Sequence, residues 1–334
     1  MNEADEKPVL VTGGTGFLAR HTILQLLAGG HAVRASVRSS DKAAHLRMIL
    51  GAAGAALAHF ETVEADLGIP AHWRHALEGV DRVLHLATPM QGKAVAETAI
   101  EGTRLVVKAS AAAGARRIVL TSSGLAALYP RRRVAAGVVS EDDWSDSANR
   151  RLTVYGRAKT LAEHAAWQLA REHGLALTTI LPGAIIGPAL GPDRSGWLAL
   201  IAGMLDGRMA ALPPIRLQMV DVRDLAALHV SALFAGEAEG KRYIAAGETL
   251  SLREIAGMLR DELGAAAGKV SLREMPGWML RLAGLINAQA RQAVPLLAAV
   301  PTLSAARARR ELQWVPRPLR ASIGDTARSL LAPV

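Results

Sequence analysis

The chain has 334 residues, of which 50% are hydrophobic and 4% aromatic, and its formal charge is +9. This length exceeds one compact domain of ordinary size and falls short of three, so we expect one large domain with a smaller companion. The absence of cysteine excludes disulfides and thiolate metal sites. The arginines are scattered and are not interleaved with aromatic residues, so the basic charge does not indicate a nucleic-acid partner.

Two further features concern the compartment. Residues 1–7 are polar and acidic, unlike a signal peptide. No apolar run reaches the roughly 18 uncharged residues that a membrane span needs. We therefore expect a cytoplasmic protein without membrane contact.

The first predicted elements form a strand, a glycine-rich turn and a helix. The apolar run 9–11 predicts a buried strand, and apolar residues at helical spacing continue to residue 28. Between them, Gly13 can take a positive φ, and Gly16 leaves room for the backbone to approach a pyrophosphate. The positive end of the helix favours the same phosphate charge. This order is typical of a dinucleotide-binding fold.

Strands and helices then alternate. The patterns predict strands at 31–38, 60–65, 82–86, 117–121 and 175–181, and helices at 43–57, 70–78, 95–113 and 161–173. Such alternation predicts an α/β fold, a Rossmann-type doubly wound parallel sheet covered on both faces. The ligand crevice of such a sheet lies beyond the carboxyl ends of its strands. Position alone places five residues there: Gly13, Arg38, Asp66, Ala87 and Ser123.

The pattern changes after residue 188, where prolines interrupt short apolar pieces. Residues 216–235 indicate a return to the main domain, and 252–263 and 278–293 are predicted amphipathic helices. We predict a dinucleotide-binding Rossmann domain over 8–185 with 216–235. A smaller, mostly helical substrate-binding lobe would comprise 186–215 and 236–330. The basic residues of 278–293 are too few for a helix that lies on a membrane.

Tyr155 and Lys159 are the first candidates for chemistry. On a helix, residues four apart share one face. A free phenol has a pKa of about 10, and a neighbouring ammonium lowers it, which makes proton exchange with a substrate oxygen practicable. An exposed tyrosine beside a solvated lysine is the alternative. Ser123, at the end of a predicted strand, adds a hydroxyl that can bind a carbonyl oxygen. Ser122 competes with it, because neighbouring strand residues point to opposite sides.

Three motifs together resemble the extended short-chain dehydrogenases/reductases, within the NAD-dependent epimerase/dehydratase superfamily. They are residues 12–17, residues 121–123 and the pair Tyr155 and Lys159. The stretches 33–38, 85–90, 140–145 and 159–167 are similar to the dihydroflavonol reductase-like branch, and the likeness covers about residues 8–260. The resemblance implies a catalytic triad of Ser123, Tyr155 and Lys159. In it, Tyr155 gives a proton to the carbonyl oxygen of the substrate, and the nicotinamide delivers a hydride to the carbonyl carbon.

The resemblance also implies a cofactor site. Its members would be Gly13, Thr15, Gly16, Phe17, Leu18, Arg38, Lys42, Asp66, Leu67, Ala87, Thr88, Tyr155, Lys159 and Pro182. NAD-binding members place an acid at the end of the second strand. Here Arg38 and Lys42 stand in that neighbourhood, and a guanidinium suits a 2′-phosphate. We therefore predict NADP(H) as the cofactor.

The substrate pocket implied by the resemblance is mainly apolar. Its predicted lining residues are Met90, Leu128, Ile185 and Met219. Such a pocket suits aldehydes, ketones or a steroid-like ketone. Leu128 stands where flavonoid reductases carry an asparagine, so a flavonoid substrate is not expected.

The sequence thus predicts an NADP(H)-dependent carbonyl reductase or alcohol dehydrogenase for a small-molecule carbonyl or alcohol, as a monomer or homodimer. One alternative is a nucleotide-sugar epimerase or dehydratase that holds NAD tightly. The other is a binding protein that senses NADP(H) without turnover. Hydrolysis is disfavoured, because Ser123 lacks the surroundings of a nucleophile elbow.

Overall fold

The computed structural model describes residues 7–88, 95–131, 137–297 and 301–332. The strands are β1 (Val9–Thr12), β2 (Val33–Val37), β3 (Phe60–Glu64), β4 (Arg82–His85), β5 (Arg117–Thr121), β6 (Val138–Val139), β7 (Ala176–Pro182), β8 (Ala184–Ile186), β9 (Arg216–Asp221), β10 (Arg242–Ala245), β11 (Thr249–Ser251) and β12 (Thr302–Leu303). The helices are α1 (Phe17–Ala28), α2 (Ser40–Ala52), α3 (Pro70–Ala76), α4 (Val95–Ala112), α5 (Val154–His173), α6 (Gly196–Leu205), α7 (Val222–Phe234), α8 (Leu252–Leu263), α9 (Gly277–Ile286), α10 (Ala288–Ala293), α11 (Ala306–Glu311) and α12 (Leu319–Leu331).

Seven parallel strands form the central sheet, in the order β10-β7-β5-β4-β1-β2-β3. The chain builds the sheet outward from β1 to β3 and then returns to β4 on the other side of β1. The topological switch point therefore lies between β1 and β4, and all carboxyl ends meet at one edge. The predicted doubly wound parallel sheet is confirmed.

The two faces of the sheet bury different sets of apolar residues. Successive residues of a strand point to opposite faces. Val9 and Val11 of β1 accordingly pack in one core cluster with Ile23 of α1. Leu10 packs on the other face, in a cluster that includes Trp73 of α3. Burial on both faces explains why the strands are continuous apolar runs.

A second, smaller core belongs to the lobe. Strands β8, β9 and β11 form a three-stranded sheet, with β8 parallel and β11 antiparallel to β9. Residues of α6, α8 and α12 pack with this sheet, among them Ile201, Ile255 and Ile323. The short strands β6 and β12 pair separately.

Two strands pair outside the domain to which the prediction assigned them. Strand β10 lies within 236–330, which was assigned to the lobe, yet it pairs with β7 at one edge of the central sheet. Residues 216–221, assigned to the Rossmann domain, form β9 and pair within the small sheet. Both strands are short, and strand pairing at long sequence separation leaves no local pattern in the sequence.

Tyr155 and Lys159 lie on one helix with 161–173, as the spacing predicts. This helix, α5, begins at Val154, where the Thr153 hydroxyl accepts the Gly156 N–H and caps it. The predicted helix 278–293 is divided at Asn287 into α9 and α10. Among the described residues, no helix is long and apolar enough to cross a membrane.

Candidate active site

The glycine-rich loop, residues 13–16, packs against the turn that follows β4. Gly13 has a φ of +68°, which confirms the predicted positive φ. Its N–H donates to Ser36 Oγ at 3.0 Å. A Cβ at this position would lie 2.9 Å from Ala87 Cα. Both the backbone conformation and this close approach therefore require glycine.

Gly14 has a structural role that the sequence analysis missed. A Cβ at this position would lie 2.8 Å from the Ala35 side chain on β2. Its N–H donates to the Ser36 carbonyl at 2.9 Å. Gly14 therefore lets the loop pack directly on β2, and a run of glycines gives no signal of which member does so.

The N-terminus of α1 is free of side-chain caps. Gly16 is the N-cap residue and has no side chain, so the N–H groups of Phe17 and Leu18 receive no capping bond. Thr15 and Phe17 are half-buried, and Leu18 is buried. Uncapped N–H groups at the positive end of a helix suit a phosphate.

Thr12 and His85 fix the turn after β4, and the sequence analysis missed both. The Thr12 oxygen accepts the N–H groups of Leu86 at 3.1 Å and Ala87 at 3.0 Å. The Thr12 hydroxyl proton is thus directed to His85 Nδ1, at 2.9 Å. Burial, together with the charge of Lys159, lowers the pKa of His85 to about 3. His85 is therefore neutral.

Two exposed cations stand beyond the end of β2. Arg38 directly follows the strand, and Lys42 lies in the first turn of α2. Neither side chain bonds to another residue of the described chain. Ser39 caps α2 by accepting the Lys42 N–H at 3.4 Å. The two cations are therefore available to an anionic ligand.

Asp66 and Leu67 follow β3, as the sequence predicts. Asp66 Oδ1 accepts the Gly68 N–H at 2.8 Å, and the Asp66 carbonyl accepts Trp73 Nε1–H at 3.0 Å. Leu67 packs closely on Gly102 of α4. Their positions are consequently fixed by α3 and α4.

Lys159 connects α5 with the ends of two strands. Its ammonium donates to Thr88 Oγ1 at 2.8 Å and to the Thr121 carbonyl at 2.7 Å. The side chain is buried. Burial lowers the pKa of Lys159 to about 8, and the negative charge of Glu163 partly opposes this shift.

Tyr155 lies one turn before Lys159 on α5 and is half-buried. Within the described ranges, no residue hydrogen-bonds its phenol. Burial raises the pKa of Tyr155 to about 12. The expected lowering by Lys159 is therefore wrong, because burial of the phenol disfavours the charged phenolate. Tyr155 stays protonated at neutral pH and is an acid rather than a base.

The two serines after β5 are engaged differently. The Ser122 hydroxyl donates to Glu163 Oε2 at 2.6 Å. Ser123 begins a 3₁₀ turn, and its oxygen accepts the Leu125 N–H at 3.2 Å. The Ser122 proton is thus already donated, whereas the Ser123 proton remains available to a ligand. This difference favours Ser123 in the choice that the sequence left open.

The predicted pocket residues are dispersed. Leu128 is a core residue with 7% of its surface exposed. Pro182, which was predicted at the cofactor site, is buried at the end of β7. Met219 has no exposed surface, since it faces the core of the lobe, so its side chain does not line an open pocket here. Ile185 on β8 is half-buried and can contact a ligand. Met90 lies outside the described residues.

The fold and the glycine-rich loop define a dinucleotide-binding protein built on a Rossmann sheet. The model of the NAD dependent epimerase/dehydratase family matches residues 9–246. The chain belongs to this family, in the dihydroflavonol reductase-like branch of the extended short-chain dehydrogenases/reductases.

Similar proteins cover most of the chain. Tetraketide alpha-pyrone reductase 2 from Arabidopsis thaliana is 34% identical over 267 residues, which cover 76% of this chain and 82% of that protein. Dihydroflavonol 4-reductase from Zea mays is 32% identical over 273 residues, which cover 77% of this chain and 75% of that protein. The NADPH complex of yeast methylglyoxal/isovaleraldehyde reductase Gre2 has a TM-score of 0.79 at 21% identity, over 97% of this chain and 98% of that one. This last likeness concerns the fold.

Proposed function

We propose that the protein is an NADP(H)-dependent reductase of an apolar aldehyde or ketone, with Tyr155 as the proton donor. One observation carries the proposal: the Tyr155 phenol has no partner in the described chain and lies one helical turn from Lys159. The names of the similar plant proteins, which are reductases, support the same reaction type.

The residues present fit a phosphorylated dinucleotide. The loop is held in place against Ala87 and Ala35, where a Cβ at Gly13 or Gly14 would collide, and Gly16 at the start of α1 is exposed. The uncapped start of α1 would hold the pyrophosphate. Arg38 and Lys42 would hold a 2′-phosphate, and this supports NADP(H) over NAD. The bound cofactor supplies the hydride.

The side chains of the chain perform the proton chemistry. Ser123 donates a hydrogen bond from its free hydroxyl to the carbonyl oxygen, keeps its own proton and orients the substrate. Tyr155 gives its proton to that oxygen as negative charge develops there. With a pKa of about 12, the phenol of Tyr155 carries its proton over the whole neutral range. Lys159 has one ammonium proton left after its bonds to Thr88 and Thr121, and this proton can be donated to a ribose hydroxyl.

Two apolar side chains support an apolar substrate. Ile185 is the half-buried apolar residue next to the end of β7. Leu128 belongs to the core cluster against which Ile185 packs. These side chains support an uncharged aldehyde or ketone as the substrate.

A carbonyl panel tests the proposal. The purified protein is mixed with NADPH or NADH and with uncharged aldehydes and ketones, and the absorbance of the reduced cofactor is followed. We expect consumption of NADPH with apolar carbonyls and slower consumption of NADH. Oxidised cofactor that survives gel filtration, with no consumption on any carbonyl, indicates an epimerase or dehydratase instead. Stoichiometric NADPH binding without turnover indicates a binding protein.

A further inference from the structure

Glu163 is a buried carboxylate that the proposed reaction does not use. It lies on α5 one turn after Lys159 and has no exposed surface. Its oxygens accept hydrogen bonds from Ser122 at 2.6 Å, Thr179 at 2.7 Å and Arg242 Nε at 2.8 Å. A buried carboxylate with this many donors is held in one position.

Arg242, the first residue of β10, is fixed from the other side. Its Nη1 donates to the carbonyls of Glu141 at 2.7 Å and Asp143 at 2.6 Å. Its guanidinium lies 3.6 Å from the ring centroid of Trp144. These contacts therefore hold the ion pair of Arg242 with Glu163 in one geometry.

A small chamber connects Glu163 with the candidate active site. It measures about 10 Å³ and is lined by Thr88, Thr103, Ser122, Lys159 and Glu163, among others. This volume has room for about one water molecule. Little solvent therefore screens the carboxylate from the Lys159 ammonium.

We propose that Glu163 is a positioning residue for proton transfer: it fixes the Ser122–Ser123 turn through the Ser122 hydroxyl and places a negative charge behind the Lys159 ammonium. The inference rests on the proposed function, since it assigns Lys159 and Ser123 their roles in carbonyl reduction. Glu163 acts through these two residues and has no role at the reacting atoms.

Among the described residues, the other groups that face Lys159 supply no negative charge. His85 on β4 is neutral, because burial lowers its pKa to about 3. Thr103 on α4 is uncharged, and Tyr155 on α5 is a neutral phenol at neutral pH. Arg242 stands behind Glu163 and is cationic. Removal of the Glu163 charge therefore lowers the pKa of Lys159 below about 8, and the ammonium is lost at a lower pH.

The variants Glu163→Gln and Glu163→Gln/Arg242→Gln test the proposal together. The single variant buries Arg242 without its counter-charge, so its thermal midpoint falls. The double variant removes both charges, so its thermal midpoint lies close to that of the wild type. In the double variant we expect kcat to fall about tenfold near neutral pH with little change in the KM of the carbonyl. The pH at which kcat falls on the alkaline side of the pH profile is expected to be lower by about one unit.

Glu172→Gln is the matched control. Glu172 lies on the same helix, is exposed and accepts a hydrogen bond from Gln168 at 2.8 Å. Its charge change is identical to that of Glu163→Gln, but it lies at an exposed site, so kcat and the alkaline limb of the pH profile are expected to stay as in the wild type. A folded double variant with wild-type kcat and an unshifted limb overturns the proposal. A fall in kcat with an unshifted limb also overturns it, because it indicates a merely structural role.

A second readout does not depend on activity. The side-chain resonances of isotope-labelled lysine are titrated by NMR, with Lys159 assigned from its absence in Lys159→Met. We expect the Lys159 resonance to titrate at a lower pH in the double variant than in the wild type. An unchanged titration contradicts the role of Glu163, whereas an inactive wild type with the expected shift contradicts only the proposed function.

Discussion

The two ends of the crevice are built in opposite ways. At the β1–β2 end, the proposed recognition of the cofactor uses the uncapped N–H groups of α1 and the exposed cations Arg38 and Lys42. At the β5–α5 end, Lys159 and Ser122 are buried and bonded to other groups of the protein. Exposed cations attract an anion through water, and salt weakens this attraction. Proton transfer, in contrast, needs groups that are held in fixed positions in a site without water. Changes at the first end should therefore alter affinity, and changes at the second should alter turnover.

The largest effect is expected from Tyr155→Phe. The substitution removes the proton donor and leaves the packing of the ring in place. We expect a loss of about 1,000-fold in kcat with NADPH affinity nearly intact, measured by steady-state kinetics and by cofactor titration. Comparable activity in this variant means that another group is the acid.

Ser123→Ala and Ser122→Ala compare the two serines directly. Loss of the Ser123 hydroxyl removes a donor to the developing negative charge, so we expect kcat to fall about 100-fold. Ser122→Ala is expected to cost less than about tenfold in kcat and to lower stability, because Glu163 loses a buried donor. The reverse order of the two losses would assign the catalytic hydroxyl to Ser122.

Arg38→Ala sharpens the comparison at the other end. Loss of a charged hydrogen bond of about 2 kcal/mol should raise the Kd of NADPH by about 30-fold and leave that of NADH nearly unchanged. Arg171→Ala is the control, since this exposed cation lies in the last turn of α5, at the opposite edge of the sheet. Equal losses for the two cofactors in Arg38→Ala would contradict the 2′-phosphate assignment.

The pH dependence of carbonyl reduction gives the smallest effect. The Lys159 ammonium is present below its pKa of about 8 and is lost as the pH rises above it. We therefore expect kcat/KM to fall about tenfold per unit above pH 8. Tyr155, with its pKa of about 12, stays protonated in this range and does not change kcat/KM there. A profile that stays flat to about pH 10 would show that the Lys159 charge is not required.

The parallel sheet and its crevice follow from local sequence patterns. Apolar strand runs and helical spacing predicted six strands of the central sheet, and the glycine turn predicted the positive φ of Gly13. The seventh strand, β10, was missed. It has four residues and begins with Arg242, and only its pairing with β7 identifies it as part of the sheet.

The candidate site is predictable where motifs are local and unpredictable where partners are distant. Spacing along one helix placed Tyr155 and Lys159 together. The bond of Thr12 to His85 spans 73 positions and that of Arg242 to Glu163 spans 79, so neither leaves a sequence pattern. The direction of the Tyr155 pKa shift was predicted wrongly, because burial is a property of the folded chain.

Strand β10 has a consequence for the order in which the protein is made. It is the last strand of the central sheet in the chain, and it carries the only described cation bonded to Glu163, Arg242. During synthesis, Glu163 leaves the ribosome long before its counter-ion, so the edge next to β7 stays open until residue 245 has emerged. The Rossmann half of this protein is therefore completed late, and no cut before residue 246 yields a finished nucleotide-binding unit.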